Sequence, residues 1–350
     1  MKILQLIDTL HPGGAERLAV NYANMLASER ITSYLISTRQ KGIFRELLSK
    51  DVEYHFINKK HTLDILALLR LRKFISTHNI EVVQAHGTSW FFPALLKRLG
   101  MDFKLVWHDH YGNSEFLDQR DKNLLRFFSQ SFDGIICVNR HLKDWAKKEL
   151  QCSNIVKLKN FIDLGIKSQI LAEFSKTEIQ LVCLANLREQ KDHDTLLDAC
   201  DRLLGKLSFR LHLIGKTFSS EYSRRIEKEI EKRDYIEFHG AMKEPRKVLE
   251  RMHIGILSSR SEGLPLAILE YGASGLAVVS TAVGEIPEVL GSHGELVEPA
   301  NPVALASSIQ LMANDYNLRQ KNASGFQDKI YSEYSQKAIF TSYLDFIRSL

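Results

Sequence analysis

Four polar clusters interrupt an otherwise apolar pattern, and their residue types suit chemistry on an anionic, hydroxyl-rich ligand. The richest is Ser261-Glu262-Gly263-Leu264-Pro265-Leu266-Ala267-Ile268-Leu269-Glu270, shortly after the apolar run Ile254 to Leu257. Pro265 suits a first helical turn, where its missing N–H costs nothing, and Gly263 lets the backbone approach a ligand closely. The N–H groups at such a helix entrance bind anions. Glu270 then falls in the second turn of an apolar helix, where a carboxylate is costly unless donors such as sugar hydroxyls meet it. Glu262, at the entrance, could accept from a second set of hydroxyls. A capping acid plus a buried ion pair is the structural alternative.

The second cluster is Ala185-Asn186-Leu187-Arg188-Glu189-Gln190-Lys191, where Arg188 supplies a fork-shaped donor and Lys191 a point charge for a diphosphate leaving group. The third, His11-Pro12-Gly13-Gly14-Ala15-Glu16, permits a tight turn and close approach to a phosphate or sugar, or a simple structural turn. It lacks the GxGxxG pattern of dinucleotide sites. The fourth is Trp107-His108-Asp109-His110-Tyr111-Gly112, with His86 similarly placed after Val82 to Ala85. A histidine there could hydrogen-bond a sugar or a developing charge; a metal pair of His108 and His110, or purely structural histidines, are the alternatives. Asp192-His193-Asp194 forms a DxD string, but acids in a first helical turn are favoured by the helix dipole, so no metal is expected to be required.

These clusters need an α/β frame. Short apolar runs alternate with amphipathic stretches of helical length, the pattern of parallel sheets covered by helices. Strands are expected at 2–7, 32–37, 53–57, 82–85, 104–107, 134–138 and 155–158, then, after a less periodic stretch from Asp163 to Thr177, at 179–185, 210–214, 236–238, 254–257, 277–280 and 294–297. The restart divides 350 residues into two domains, 1–165 and 166–330, followed by one amphipathic helix over 331–350. Composition is that of a globular chain, 44% hydrophobic and 25% charged. No signal peptide and no run of about 18 apolar residues appears, which points to the cytoplasm. Cys137, Cys152, Cys183 and Cys200 form no CxxC pair and read as small core residues. Residues 1–165 hold 24 Lys/Arg against 17 Asp/Glu, whereas 166–350 hold 23 against 25. The basic first half, with mixed cationic and apolar stretches at Leu66 to Ile75 and Phe91 to Leu99, fits either peripheral contact with an anionic membrane face or ordinary solvated helices.

Taken in order, PGGAER (Pro12 to Arg17), NFID (Asn160 to Asp163), ANLREQKDH (Ala185 to His193), SEGLPLAILE (Ser261 to Glu270) and TAVGEIPEVL (Thr281 to Leu290) resemble the retaining glycosyltransferases of family four. Glu262 and Glu270 fit that family's E-x7-E pattern. The resemblance implies a GT-B fold of two Rossmann-like domains whose parallel sheets face each other across a cleft. It implies a metal-independent, cofactor-free transfer with retention from a nucleotide-sugar, a UDP-sugar by preference, to a saccharide or lipid-linked saccharide in surface polysaccharide synthesis. No nucleic acid is expected as a partner. Arg188 and Lys191 would bind the diphosphate, Glu270 the ribose and Glu262 the donor sugar. Gly263 and Leu264 would meet the phosphates or sugar through their backbone, Gly14 would lie beside the diphosphate, and Gly240 to Lys243, including Met242, would border the base. His110, with His108 the competing choice, matches the family histidine near the sugar. The arginine stands two positions from its usual Gly-Arg-Leu place, and the last helix would pack back on the first domain. The competing readings are a sugar-nucleotide hydrolase or epimerase of the same fold and a non-catalytic sugar-nucleotide-binding subunit.

Overall fold

The computed structural model describes residues 1–165, 167 and 178–350. The described chain divides into two compact units, Met1–Phe161 with Ile339–Leu350, and Ile162–Ala338. Most of the expected linker Asp163 to Thr177, including residue 166 where the second domain was expected to begin, lies outside the described residues.

The first unit is built on seven strands: β1 Lys2–Thr9, β2 Thr32–Gln40, β3 Val52–Phe56, β4 Val82–His86, β5 Lys104–Asp109, β6 Gly134–Cys137 and β7 Ile155–Lys157. They form one parallel sheet in the order β3-β2-β1-β4-β5-β6-β7. The second is built on β8 Ile179–Leu184, β9 Phe209–Ile214, β10 Ile236–Gly240, β11 Ile254–Leu257, β12 Ala277–Thr281 and β13 Glu295–Val297. These are parallel too, in the order β10-β9-β8-β11-β12-β13. Helices cover both faces of such sheets, so central strands are apolar along their whole length. Ile3, Leu4, Leu6, Val83, Leu105, Ile135, Leu181, Leu211, Ile256 and Val279 are all fully buried.

Both sheets share one topological property. The chain lays down three strands outward from β1, then returns to place β4 on the other side of β1; in the second unit β11 returns to the other side of β8. Strand order reverses between β1 and β4 and between β8 and β11, and open α/β sheets bind ligands outside the carboxyl ends of strands at such points. The loops at those ends are 10–13 and 87–90 in the first unit, and 185–192 and 258–265 in the second.

Three expectations need correction. The stretch 331–350 is two helices: Tyr316–Glu333 ends there and Gln336–Arg348 begins afresh. Tyr334 breaks the run because its carbonyl accepts the Ile162 N–H at 3.3 Å and its ring is buried, while Ser335 Oγ accepts the Ala338 N–H. Pro265 stands one residue before the helix Leu266–Ala273, at its N-cap with ψ 130°. Cys152 is partly exposed, whereas Cys137, Cys183 and Cys200 are buried, and all four are free thiols. Within the first unit, Tyr343 of the last helix donates to Gln84 Oε1 at 2.7 Å and packs its ring 4.8 Å from that of Tyr22.

Candidate functional site

At the reversal in the second unit, the loops after β8 and β11 join through an ion pair. Lys191 closes the short 3-10 turn Glu189–Lys191, and its Nζ lies 2.5 Å from Glu262 Oε1. Ser259 Oγ donates to the same oxygen at 2.7 Å, and Glu262 is buried. A buried carboxylate needs such partners, and a lysine ammonium with three donors can hold this one and still reach another acceptor. Backbone bonds brace the pair: Ser258 Oγ donates to the Lys191 carbonyl at 3.0 Å, and the Arg260 N–H to that of Gln190 at 2.8 Å.

A third segment clamps the Glu262 loop from behind. Thr281 Oγ1 donates to the Ser259 carbonyl at 2.7 Å and the Glu285 N–H to the Gly263 carbonyl at 3.0 Å. Gly284 lies at φ 57°, and a Cβ there would come within 2.3 Å of the Glu262 carbonyl oxygen, so only glycine fits. Thus TAVGE serves the geometry of SEGLP. Gly263 and Leu264 are buried under this clamp, ahead of the helix N-terminus, and Glu270 lies half-buried one turn in. Tyr271, fully buried beside it, accepts the Leu184 N–H at 2.6 Å and donates to the Ile256 carbonyl at 3.2 Å, locking helix, β8 and β11 together.

Arg188 stands differently from Lys191. It is exposed, its guanidinium 4.7 Å from the centroid of the Phe218 ring, with Lys216 Nζ 5.4 Å from the same ring. Gly240, at φ 66°, and Met242 end and follow β10, two strands from β8. The DxD acids are committed elsewhere. Asp192 caps the helix His193–Asp201, accepting from the Thr195 hydroxyl at 2.8 Å and Arg260 Nε at 3.0 Å. Asp194 is held by both Nη atoms of Arg225, which keeps its carboxyl below the usual range.

In the first unit the reversal carries a buried network of neutral polar groups. Gln84 Oε1 accepts from Tyr343 Oη and from Gln5 Nε2, so Gln84 Nε2 faces His108 Nδ1 at 2.9 Å. Gln5 Oε1 in turn lies 2.7 Å from His86 Nε2, and His86 Nδ1 lies 2.9 Å from His110 Nε2. The last two rings are inclined by only 8° with centroids 5.1 Å apart, which makes this an in-plane N–H···N bond. The chain of donors assigns tautomers: His86 donates through Nε2 and accepts through Nδ1 from His110. Burial lowers the pKa of all three histidines, that of His110 to about 3, so they are neutral at pH 7. His108 Nε2 is buried without a hydrogen-bond partner among the described residues. Ring nitrogens of all three lie within 4.8 Å of one another. Gly14, by contrast, opens the helix Gly14–Ser28 and is exposed, and a Cβ there would meet nothing within 4 Å.

Several supporting residues were not foreseen. Thr281 and Gly284 act on the backbone carbonyls of Ser259 and Glu262, which side-chain types do not advertise, and Ser259 Oγ meets Glu262 three residues on. Gln5 and Gln84 sit among strand residues whose neighbours are apolar, and two such glutamines in buried strands were a usable signal. Asp109, flanked by the two histidines, is buried in a bidentate pair with Arg120 at 2.7 and 2.9 Å, the guanidinium packed 4.4 Å from both the Tyr111 and Trp145 rings.

Two doubly covered parallel sheets, each with its polar cluster at the strand-order reversal, define the GT-B class. Solved structures agree: HepE from Anabaena in complex with UDP-glucose aligns over 100% of both chains with a TM-score of 0.83 at 18% identity. Residues 12–165 match Glycosyltransferase Family 4, and residues 178–315 match Glycosyl transferases group 1. Among curated relatives, the gpi3 subunit of phosphatidylinositol N-acetylglucosaminyltransferase from Schizosaccharomyces pombe is 24% identical over 75% of this chain and 60% of its own length. The O-antigen biosynthesis glycosyltransferase WbnH of Escherichia coli is 23% identical over 85% and 86%. The chain thus spans less than two thirds of the yeast subunit and most of the bacterial enzyme. It belongs to the group 1, family-four glycosyltransferases.

Proposed function

We propose that the protein transfers a sugar from a nucleotide-sugar, a UDP-sugar by preference, to a hydroxyl of a saccharide or lipid-linked saccharide, with retention of configuration and without a metal. The observation that carries this reading is the Lys191–Glu262 pair at the strand-order reversal, its carboxylate buried beside the Gly284 clamp and its lysine partly exposed. In this reading Glu262 accepts from hydroxyls of the donor sugar while Lys191, with Arg188 swung from Phe218, neutralises the departing diphosphate. Glu270 holds the ribose, the backbone of Gly263 and Leu264 meets the phosphates or sugar, and Gly240 to Lys243 border the base. In the first unit His110, neutral and bonded to His86, presents a hydrogen bond to the sugar, and Gly14 leaves room for the diphosphate.

The displacement is front-side: a diphosphate oxygen takes the acceptor proton as the glycosidic bond to it breaks, and the new C–O bond forms on the same face. No protein nucleophile is then needed. Relatives in O-antigen and lipid-linked sugar synthesis support an acceptor of that kind. Nucleotide release from UDP-, GDP- and ADP-sugars, measured with chelator present, tests the reading; Lys191→Ala is expected to lower turnover about 100-fold or more, and Arg188→Ala in the same direction. Wild-type turnover in both would reject these roles, and release that no acceptor stimulates would favour hydrolysis.

Peripheral membrane contact completes the proposal. Leu63, Ile65, Leu66 and Leu69 are 50–69% exposed around the start of the helix Ile65–His78, with exposed Arg70, Arg72 and Lys73 beside them. Apolar residues flanked by cations suit an anionic bilayer surface. Among the described residues no helix is long and apolar enough to cross a membrane.

A further inference from the structure

The two outer strands of the second sheet carry a separate cluster of nitrogen and oxygen donors. β9 and β10 lie on the opposite side of β8 from β11 and its Glu262 loop. Glu237 and His239 stand two residues apart on edge strand β10, His239 at a register shift between Phe238 and Gly240, and Glu237 is the register partner of His212 on β9. His212 Nδ1 lies 2.9 Å from His239 Nε2, Glu237 Oε2 lies 3.6 Å from His212 Nδ1 and Glu237 Oε1 lies 3.6 Å from His239 Nε2, and one donor atom from each residue lies within 4.8 Å of the other two. A zinc ion with bonds of about 2.0–2.2 Å holds its tetrahedral ligand atoms about 3.3–3.6 Å apart. Either carboxylate oxygen stands near that spacing from one imidazole nitrogen, so a small turn of Glu237 and a parting of the two rings bring one donor atom from each residue to three corners of that polyhedron.

The orientation of His212 is set from behind. Glu178 Oε2 accepts from Gln180 Nε2 at 2.9 Å, which leaves Gln180 Oε1 to accept the His212 Nε2 proton at 2.8 Å. Neutral His212 therefore carries its lone pair on Nδ1, facing the cluster. Metal-binding histidines are oriented in this way, by an acceptor on the far ring nitrogen that is itself held by further polar groups. The His212 and His239 rings are inclined by 15° with centroids 5.2 Å apart, so they now share one proton in an in-plane N–H···N bond. Moving that proton to Nδ1 of His239 and turning its ring opens both lone pairs to an ion. Edge-strand position and the exposed Glu237 carboxylate, 52% accessible, give the ion an entry route.

We propose that His212, Glu237 and His239 bind a divalent transition-metal ion, zinc fitting best, with water completing the tetrahedron. Two imidazoles and one carboxylate suit zinc, whereas magnesium and calcium require mostly oxygen ligands. The ion ties edge strand β10 to β9 and takes no part in sugar transfer. The inference does not depend on the donor or acceptor.

The test is zinc titration of the chelator-stripped full chain by calorimetry, with bound metal counted after dialysis and cobalt as a spectroscopic substitute. One equivalent at micromolar free zinc, a higher melting temperature and the visible cobalt band of a four-coordinate site are expected. His239→Ala and Glu237→Gln, both at the sheet edge, should keep the wild-type circular dichroism and weaken binding about tenfold or more. No binding at micromolar zinc, or binding undiminished in these two variants, overturns the proposal. Binding lost only in His110→Asn does so as well, by assigning the ion to the other histidine group.

Discussion

A carboxylate that is buried and paired is hard to lose by halves. If Lys191 is replaced by Met, Glu262 loses its cation in a nearly closed environment while Ser259 Oγ still donates to it, and the cost is that of a buried charge deprived of its counter-ion, about 2–4 kcal/mol, with the partial exposure of Lys191 favouring the lower end. Urea denaturation measures this, and the double variant Lys191→Met with Glu262→Gln should recover part of it. The histidine network predicts an acid response. His110 has a folded pKa of about 3 against an ordinary value near 6.5, so below about pH 6.5 the unfolded chain binds more protons and stability falls as pH falls. At pH 5 His110 alone costs about 2 kcal/mol, and His86 and His108 act in the same direction. Melting curves from pH 7.5 to 5 should be flatter for His110→Asn. The four clusters were legible because their residue types are unusual in apolar surroundings. Which oxygen meets which donor was not, because the pairings cross up to 259 residues of chain, as with Tyr343 and Gln84.

At the level of the elements, glycine conformation separates loops that are built from loops that are merely open. Gly284→Ala places a methyl against the Glu262 carbonyl and forces an L-residue to φ 57°, so a drop in stability of about 1–3 kcal/mol and a displaced Glu262 loop are expected. Gly14→Ala meets nothing and should leave the melting temperature unchanged while weakening donor binding, if the diphosphate passes there. Thermal melts and donor KM values on the pair distinguish the two, and unchanged KM in Gly14→Ala would remove that residue from the donor site. All thirteen strands were visible in the sequence because strands covered on both faces must be apolar throughout. Several carboxyl ends lie beyond the expected ones, whereas β3, β6, β7 and β8 stop one residue earlier. β1 runs on to Thr9, β2 to Gln40 and β5 to Asp109, where polar residues continue the ladder toward the loops. The break at Tyr334 was invisible because a carbonyl from outside the helix decides it.

Across the whole molecule, charge and exposed apolar surface gather in the same part of the chain. Between residues 59 and 73 there are five Lys/Arg and one acid, Asp64, which is buried as a helix cap. Flotation with vesicles should show binding to anionic and not to zwitterionic lipid, weakened by salt. Replacing Leu66 and Leu69 by Asp should abolish it without lowering the melting temperature, since both side chains already face water. Equal binding by the variant would move the contact elsewhere. The segment Ile339–Leu350 adds a consequence for how the protein is made. The first unit holds the earliest strands, yet Tyr22, Gln84 and the histidines beside them wait for Tyr343, which leaves the ribosome after every residue of the second unit. During translation the second unit can therefore close first, and the nascent first unit is the form that chaperones and proteases would meet.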